Sequence, residues 1–599
     1  MRIGPLAHST FTPAAPLRAV LLGRGLLLVA MVAAAVGPVS GQAGNAPECP
    51  QGVIGRIEID NRPVFPTDAD DPRLLRWAFG TANLLHVETT RSFIRRELLF
   101  AEGDCFDPFL LSESRRLLEE YGFIEQVRIE AADAGPGVKT VQVQTRDRWS
   151  TQVDLTFSYD NGLNLERFQA TERNFLGNGI TAQVAHRERR ETQERNFRLF
   201  TPRFFGRTDA DVKFGRTRGG AFLYQRFNHG FLGETSRFSG SEIVDRSTGF
   251  YSYSTGGSEA FSHVLVPMYR ERFELATAVR LGDPGRSWIV GLSFDRTLHR
   301  QDGLAEVVQG DDFDGSSPGG AELTPGVSRQ TGNRGATRLA LHLGTRRFRY
   351  EEYIGLDAMS ERQVVPLGFF GGVSVGRSLG ILLPDDVVDA GDTYGRLYST
   401  FTAPVGSSVV HLAVSAEGAH AGGAWRDILG QADAVAWGRA RWLPGQVLFF
   451  RASTGAGWRT TLPFQLSLGG REGVRSLRDD QLPGGRRLLL VAEDRIRLPW
   501  PRWKGLELGA TAFADAGRMW AGDAPYGHDA GWVGSVGFGL RIAVPSGSRI
   551  VWRPEIAFPV GHGGPAIFRI AGEVNRIRSP FRTPRWMESR RFVRGPEEY

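Results

Sequence analysis

Between Ser150 and Val574 the chain is built from segments in which apolar and polar residues alternate one by one. The clearest is Thr151 to Tyr159, with Val153, Leu155, Phe157 and Tyr159 on one side and Gln152, Asp154, Thr156 and Ser158 on the other. Successive side chains of a strand point to opposite faces, so this pattern reads as a strand with one apolar and one polar face. Such runs recur as far as Val574 with few helical patterns between them. Turn signals such as Asp160-Asn161-Gly162 and Gly177-Asn178-Gly179 separate them. A soluble sandwich or propeller is disfavoured, because no blade-length repeat accompanies the alternation. In lipid every backbone polar group needs a partner, and strands meet that need only in a closed sheet, so the predicted fold is a transmembrane antiparallel β-barrel. The 425 residues from Ser150 to Val574 allow fourteen to eighteen strands, at about 25 to 30 residues per strand and connection.

Composition removes the main alternatives. Apolar residues make up 41% of the chain, and no run of about twenty of them occurs outside the N-terminus, which excludes a polytopic helical membrane protein. Glycine, 75 of 599 residues, is abundant without the period of collagen. The net charge of +6 is spread over a long chain and marks no basic face, so nucleic acid is not an expected partner.

The N-terminus reads as an export signal over residues 1–41. Arg18 and Arg24 precede the apolar run Leu26 to Val36, too short to span a bilayer, and Val39-Ser40-Gly41 offers a cleavage site before Gln42. Glu48 before Cys49 argues against lipid attachment there. Cys49 and Cys105, the only two cysteines, would then meet an oxidising compartment, and a disulfide between them is an expectation.

A small mixed unit is expected over residues 51–147. Val53, Ile57 and Ile59 suggest a strand, and a helical pattern follows from Thr90 to Phe100. A stronger helix starts at Asp107-Pro108, a capping acceptor followed by proline, and stops at Gly122. Its positions Leu110, Leu111, Leu117, Leu118 and Tyr121 would bury one face. Two strands, Phe123 to Glu130 and Val138 to Thr145, flank the turn Ala134-Gly135-Pro136-Gly137. This order, with Asn83 to Thr90, Glu97 to Asp104 and Glu113 to Leu118, resembles a POTRA domain, the periplasmic module of outer-membrane assembly and secretion proteins. The resemblance implies a sheet edge that receives extended polypeptide by strand addition. His86 stands without a partner motif and reads as structural.

The C-terminal third carries the most specific pattern. Leu468-Gly-Gly-Arg-Glu-Gly-Val-Arg-Ser-Leu477 lies in a segment, Thr460 to Gly485, too long and too rich in Gly, Arg and Asp for a simple hairpin. Glu493 and Arg495 follow on the next strand pattern, then Phe513-Ala-Asp-Ala-Gly517 on the one after. Glu507, Gly509, Thr511, Phe513, Asp515 and Gly517 share one face, opposite Leu508 and a row of alanines, so Asp515 is expected inside the barrel.

These motifs resemble the BamA/TamA-like outer-membrane assembly superfamily, which includes two-partner secretion translocators. Asn174 to Gly179 also looks like that family's early-barrel segment. The resemblance implies a loop folded back into a barrel of sixteen strands, with Arg475 pairing with Asp515. Gly473, Val474, Glu493, Arg495, Phe513 and Gly517 would support the pair. It further implies client outer-membrane or secreted polypeptides and outer-membrane lipid as partners, accessory periplasmic proteins, and no cofactor. Three features depart from the family pattern. Ser476 and Leu477 stand where a glycine and an aromatic residue are expected. Asp494 falls on the lipid face by alternation. A basic tail over 575–599, with seven Arg against three Glu, extends beyond the last strand pattern, Ile567 to Val574.

No enzyme is expected. Gly372-Val-Ser-Val-Gly376 matches a nucleophile-elbow pattern but sits within a strand pattern rather than at a strand-to-helix turn. No phosphate-binding loop, dinucleotide fingerprint or zinc-ligand set occurs. Asp311, Asp312 and Asp314 match no cation-loop spacing.

Overall fold

A computed structural model of the chain describes residues 49–574 apart from short stretches at 65–76, 78–79, 82, 84–85, 160–162, 189–192, 258, 311, 314, 319–323, 358, 440–444, 470–472, 479–480, 500–505, 545 and 548–549. The predicted signal over 1–41, the basic tail over 575–599, Asp311 and Asp314 lie outside the described residues.

Among the described residues the first unit is a three-stranded sheet covered by two helices. Its elements are β1 (Val53–Arg62), α1 (Arg91–Glu97), α2 (Pro108–Glu120), β2 (Ile124–Gly135) and β3 (Val138–Asp147). The sheet order is β1-β3-β2, with β1 parallel and β2 antiparallel to β3. Thr90 caps α1 by accepting from the Phe93 N–H at 3.2 Å, and Asp107 caps α2 by accepting from Phe109 at 2.9 Å. Ile54, Ile57, Phe93, Ile94, Leu118 and Val141 form the buried core between sheet and helices. Cys49 is disulfide-bonded to Cys105, with Cα atoms 5.1 Å apart. The bonded segment runs along the outer edge of β1. Ile54 N–H donates to Asp104 O at 2.9 Å, and Ile57 N–H donates to the Glu102 carboxylate at 2.9 Å. Part of that edge is thereby closed to further strands.

From Thr151 onward the chain forms one antiparallel sheet whose order returns on itself, strand Ile567–Val574 lying beside strand Thr151–Tyr159. Among the described residues the barrel holds twenty strands of eight residues or more and three short accessory pieces. This exceeds both the sixteen that the resemblance implied and the fourteen to eighteen that the length allowed. The allowance per strand was too generous, because two-residue turns such as Gly206-Arg207, Pro284-Gly285, Gly406-Ser407 and Gly422-Gly423 join neighbouring strands.

Alternation sorts the side chains. On strand Arg334–Ile354, Leu339, Leu341 and Leu343 are exposed outward while His342 and Arg338 point inward, and Val536, Phe538 and Leu540 are exposed on strand Ala530–Ala543. The interior holds buried Arg167, Gln169, Lys213, Glu274, Arg338 and Glu493. An apolar exterior around a polar interior inverts the order of a water-soluble protein and suits lipid. No described helix is long and apolar enough to cross a membrane.

The small unit sits at one rim of the barrel, here the near rim. The turn after the second barrel strand carries most of the joint. Asn174 donates to Val87 O at 3.2 Å and to Thr89 Oγ1 at 3.0 Å, and Thr90 N–H donates to Gly177 O at 2.9 Å. The next near-rim turns add Arg203 on Glu97 at 2.8 Å, and the Glu234 N–H on Glu113 at 2.9 Å.

Candidate functional site

The segment between strands Gln446–Trp458 and Arg486–Arg497 starts at the far rim and folds down into the lumen. Far-rim loops hold its shoulders. Thr461 gives Asp427 both its N–H and its hydroxyl, each at 2.7 Å, while Gln465 donates to Ser254 O at 2.9 Å and Pro525 O at 2.8 Å. A two-residue ladder, Leu466–Ser467 with Pro483–Gly484, closes the loop's neck. Below it Phe464, Leu468, Val474 and Leu477 pack with Leu489 and Met519 of the wall into a buried apolar cluster. That cluster supplies the apolar area a lumen loop otherwise lacks.

Close packing explains the glycines. A side-chain carbon on Gly473 would stand 2.0 Å from Leu468 O. On Gly517 it would stand 2.7 Å from Leu468 Cδ1 and 2.9 Å from Val474. The wall therefore needs a hole at 517 for the loop to seat, two residues from Asp515 on the same inward face.

Arg475 stands at the centre of the site. Its N–H donates to Asp515 Oδ2 at 3.2 Å, and its Nε lies 3.4 Å from the same oxygen. One Nη donates to Glu493, the other lies 3.6 Å from Glu555, and the guanidinium sits 3.8 Å over the Phe513 ring. Glu493 is shared: Arg495 reaches it at 2.8 Å and Arg553 at 3.1 Å. Arg553 also pairs with Glu555, and Ser535 donates to Asp515 at 2.8 Å. Three guanidiniums thus face three carboxylates, all largely buried. In such surroundings attraction between the charges offsets their lost hydration only while every partner stays in place.

All the residues singled out from sequence in this region, Gly473, Val474, Arg475, Glu493, Arg495, Phe513, Asp515 and Gly517, therefore meet within one assembly. Arg553, Glu555, Asp357 and Trp437 complete it and were not singled out. The first two alternate inward with Val551 and Ala557 on strand Ile550–Val560, a polar signal that the sequence carried. Asp357 lies on an irregular turn and gave no signal. It accepts from Trp437 Nε1 at 2.8 Å and from Arg495 at 3.2 Å.

The departing positions are also accommodated. Ser476 donates to Gly534 O at 3.2 Å, and Leu477 is buried in the apolar cluster, its carbonyl held by Arg569 at 2.8 Å. Asp494 is cross-strand to Leu448 and Ala512 on the outward face. It lies close to the near-rim end of its strand at Arg497, where a carboxylate on the outer face costs least.

The other sequence candidates lie apart from this assembly. His86 bonds Asp147 at 3.1 Å within a buried polar set that includes Asn61 and Thr89. Ser374 meets His342 at 2.7 Å, but the other ring nitrogen of His342 meets Ser293 at 2.7 Å rather than a carboxylate, and Ser374 lies mid-strand. No group of three or more His, Cys, Asp or Glu side chains placed to hold a metal ion occurs among the described residues.

The chain thus combines a barrel of apolar exterior, a docked three-stranded unit and a loop inserted into the lumen. No family model and no curated protein matches the chain. Among solved structures it is similar to BamA from Haemophilus ducreyi lacking POTRA domains 1-3, at 13% identity over 86% of this chain and 84% of that one, with a TM-score of 0.35. It is similar also to CdiB from Acinetobacter baumannii, at 10% identity over 87% and 73%, TM-score 0.37. CdiB from Escherichia coli matches at 13% identity over 87% and 76%, TM-score 0.38.

Proposed function

We propose that this chain is an outer-membrane barrel that inserts or translocates client polypeptides, its small unit working in the periplasm as a POTRA domain. The observation that carries the reading is the loop locked in the lumen through Arg475, Asp515 and Glu493. A passive pore gains nothing from filling its own lumen, whereas a machine that opens on demand needs a closed resting state. The near-rim position of the small unit supports the same reading. With much of β1 covered by the disulfide-bonded segment, a client strand arriving there adds at an edge of the sheet without the chain supplying energy from a nucleotide. The role is mechanical, and no residue is assigned to catalysis.

Two-partner secretion of a dedicated exoprotein is the second reading, since it uses the same parts. Depleting the protein in its own host and quantifying outer-membrane and secreted proteins separates them. A broad fall in barrel proteins is the expected result; loss of a single exported protein with barrels intact assigns the chain to secretion, and no change in either overturns both.

A further inference from the structure

The hairpin of strands Arg334–Ile354 and Arg362–Ser378 leaves the barrel wall before it ends. The two strands stay paired with each other as far as Ile354 and Arg362. On its other side, strand Arg362–Ser378 pairs with Thr393–Val405 only from Arg377 to Gly368. Gly368 has φ +137°, and a side-chain carbon there would stand 2.1 Å from Arg347 O, so the parting point admits only glycine without rearrangement. Beyond it, Tyr353, Val365 and Leu367 continue the alternation that faces outward higher in the wall. Here they pack instead, with Leu356 of the tip, on Val409, Trp437 and Phe449. Those three are inward-facing residues of neighbouring strands, Trp437 being paired with Phe449 and Phe449 with Glu493. The outer face of the hairpin thus lies on the inner face of the barrel: its end has folded into the lumen from the near rim.

Polar contacts bolt the tip in place. Asp357 accepts from Trp437 and Arg495 as described, and the carbonyls of Leu356 and Asp357 accept from Arg495 at 3.3 Å and Arg541 at 2.5 Å. The same Arg495 holds Glu493, the carboxylate that Arg475 of the far-rim loop also holds. On its other side the hairpin meets the small unit and its linker. Glu361 pairs with Arg148 at 2.8 Å, in the three-residue link between β3 and the first barrel strand. Glu352 lies 3.6 Å from Arg115 of α2, and the Arg116 guanidinium lies 4.7 Å over the Tyr350 ring.

We propose that the hairpin end, described over residues 349–357 and 359–367, is an autoinhibitory plug. It closes the near side of the lumen and, through Asp357, Arg495 and Glu493, ties the state of the loop lock to the position of the small unit. A polypeptide delivered by the small unit would have to displace it. The purpose so stated rests on the client-handling reading, but closure and coupling are properties of the chain alone.

The test uses the full chain, reconstituted in planar bilayers, with heat-modifiable gel migration confirming that each variant forms a folded barrel. Conductance is compared for the parent, Asp357→Ala and Glu361→Gln, the second being mild enough to fold should the first fail. A Ser476→Cys background reports the loop lock through its rate of labelling by a soluble maleimide. The expected result is a several-fold rise in conductance and faster labelling of Cys at 476 in both variants. Folded variants with parental conductance would overturn the plug. Raised conductance with unchanged labelling would overturn the coupling. Neither readout involves a client, so failure of the assembly reading, seen as unchanged proteomes on depletion, is separable from failure of this one.

Discussion

A side-chain carbon on Gly177 would stand 2.3 Å from the carbonyl oxygen of Glu88, so the first near-rim turn of the barrel and the entrance to α1 touch backbone to backbone. Gly177 also has φ +68°, which costs a residue with a side chain about 1–2 kcal/mol before any clash is counted. The neighbouring Asn174 reaches across the joint and also accepts the Gly179 N–H at 2.9 Å, so turn and unit are fixed as one piece. Gly177→Val is expected to undock the small unit without unfolding the barrel. Trypsin should then cut the link at Arg148 many times faster, while heat-modifiable migration stays at the parental temperature; parental trypsin resistance would show that the joint is held elsewhere.

Glu493 serves three guanidiniums, which makes it a more sensitive position than either member of the Arg475 and Asp515 pair. Breaking a buried pair by removing one partner costs about 3–5 kcal/mol, because the remaining charge stays dehydrated. Glu493→Gln takes a partner from Arg475, Arg495 and Arg553 at once, leaving them Asp515, Glu555 and Asp357, whereas Asp515→Ala takes a partner from Arg475 alone of the three and leaves it Glu493 and Glu555. The temperature at which the barrel loses its folded gel migration should therefore fall further in Glu493→Gln. Arg475→Ala and Asp515→Ala should lower function more than barrel abundance. Equal loss of protein from the membrane in all three would reduce the site to a folding element.

How far this site could be read in advance follows from the reach of alternation. Period two placed Asp515, Phe513 and Gly517 on one inward face, because that claim concerns neighbours along a single strand, whereas the meeting of Arg475 with Asp515 and the support from Glu493 and Arg495 were implied by the family resemblance alone. The partners Arg553 and Glu555 lie on a strand that reaches Glu493 only around the curve of the barrel, and no local pattern states that distance. Asp357 was out of reach for a different reason. Its position depends on a hairpin leaving the wall at Gly368, and the outward pattern of Val365 and Leu367 gives no sign that the face they meet is the lumen rather than lipid. The strand count failed on turn length, since pairs such as Gly422-Gly423 spend only two residues where a long loop was allowed for.

The disulfide between Cys49 and Cys105 bridges a sequence separation of 56 residues, and closing a loop of that size removes about 4 kcal/mol worth of unfolded-chain freedom. The small core around Phe93 and Leu118 belongs to a unit of only about a hundred residues, where that contribution is a large share of the total. The double variant Cys49→Ser, Cys105→Ser should lose protection of β1 in hydrogen exchange, Ile54 and Ile57 first, with the barrel strands unchanged. Unchanged exchange in β1 would mean that the hydrogen bonds Ile54 and Ile57 donate to Asp104 and Glu102 hold the edge without the covalent tie.

Glu97 gives the joint a pH dependence whose sign is fixed by burial. Its carboxylate lies against Arg203 at 2.8 Å, yet loss of hydration outweighs that attraction and pushes its pKa above the usual value of 4.5. A carboxyl raised in the folded state binds its proton more tightly there than in the unfolded chain. Folding stability therefore falls as pH rises from about 4.5 through the raised value, and the penalty is complete above it. Glu97→Gln keeps the shape and removes the charge, so it should stabilise the small unit near neutral pH and flatten its stability between pH 4.5 and neutrality. Urea titration of the small unit's tryptic protection at a series of pH values checks this. A variant less stable than the parent at neutral pH would show that the bond to Arg203 outweighs the cost of burying the carboxylate, and that the joint is held by charge after all.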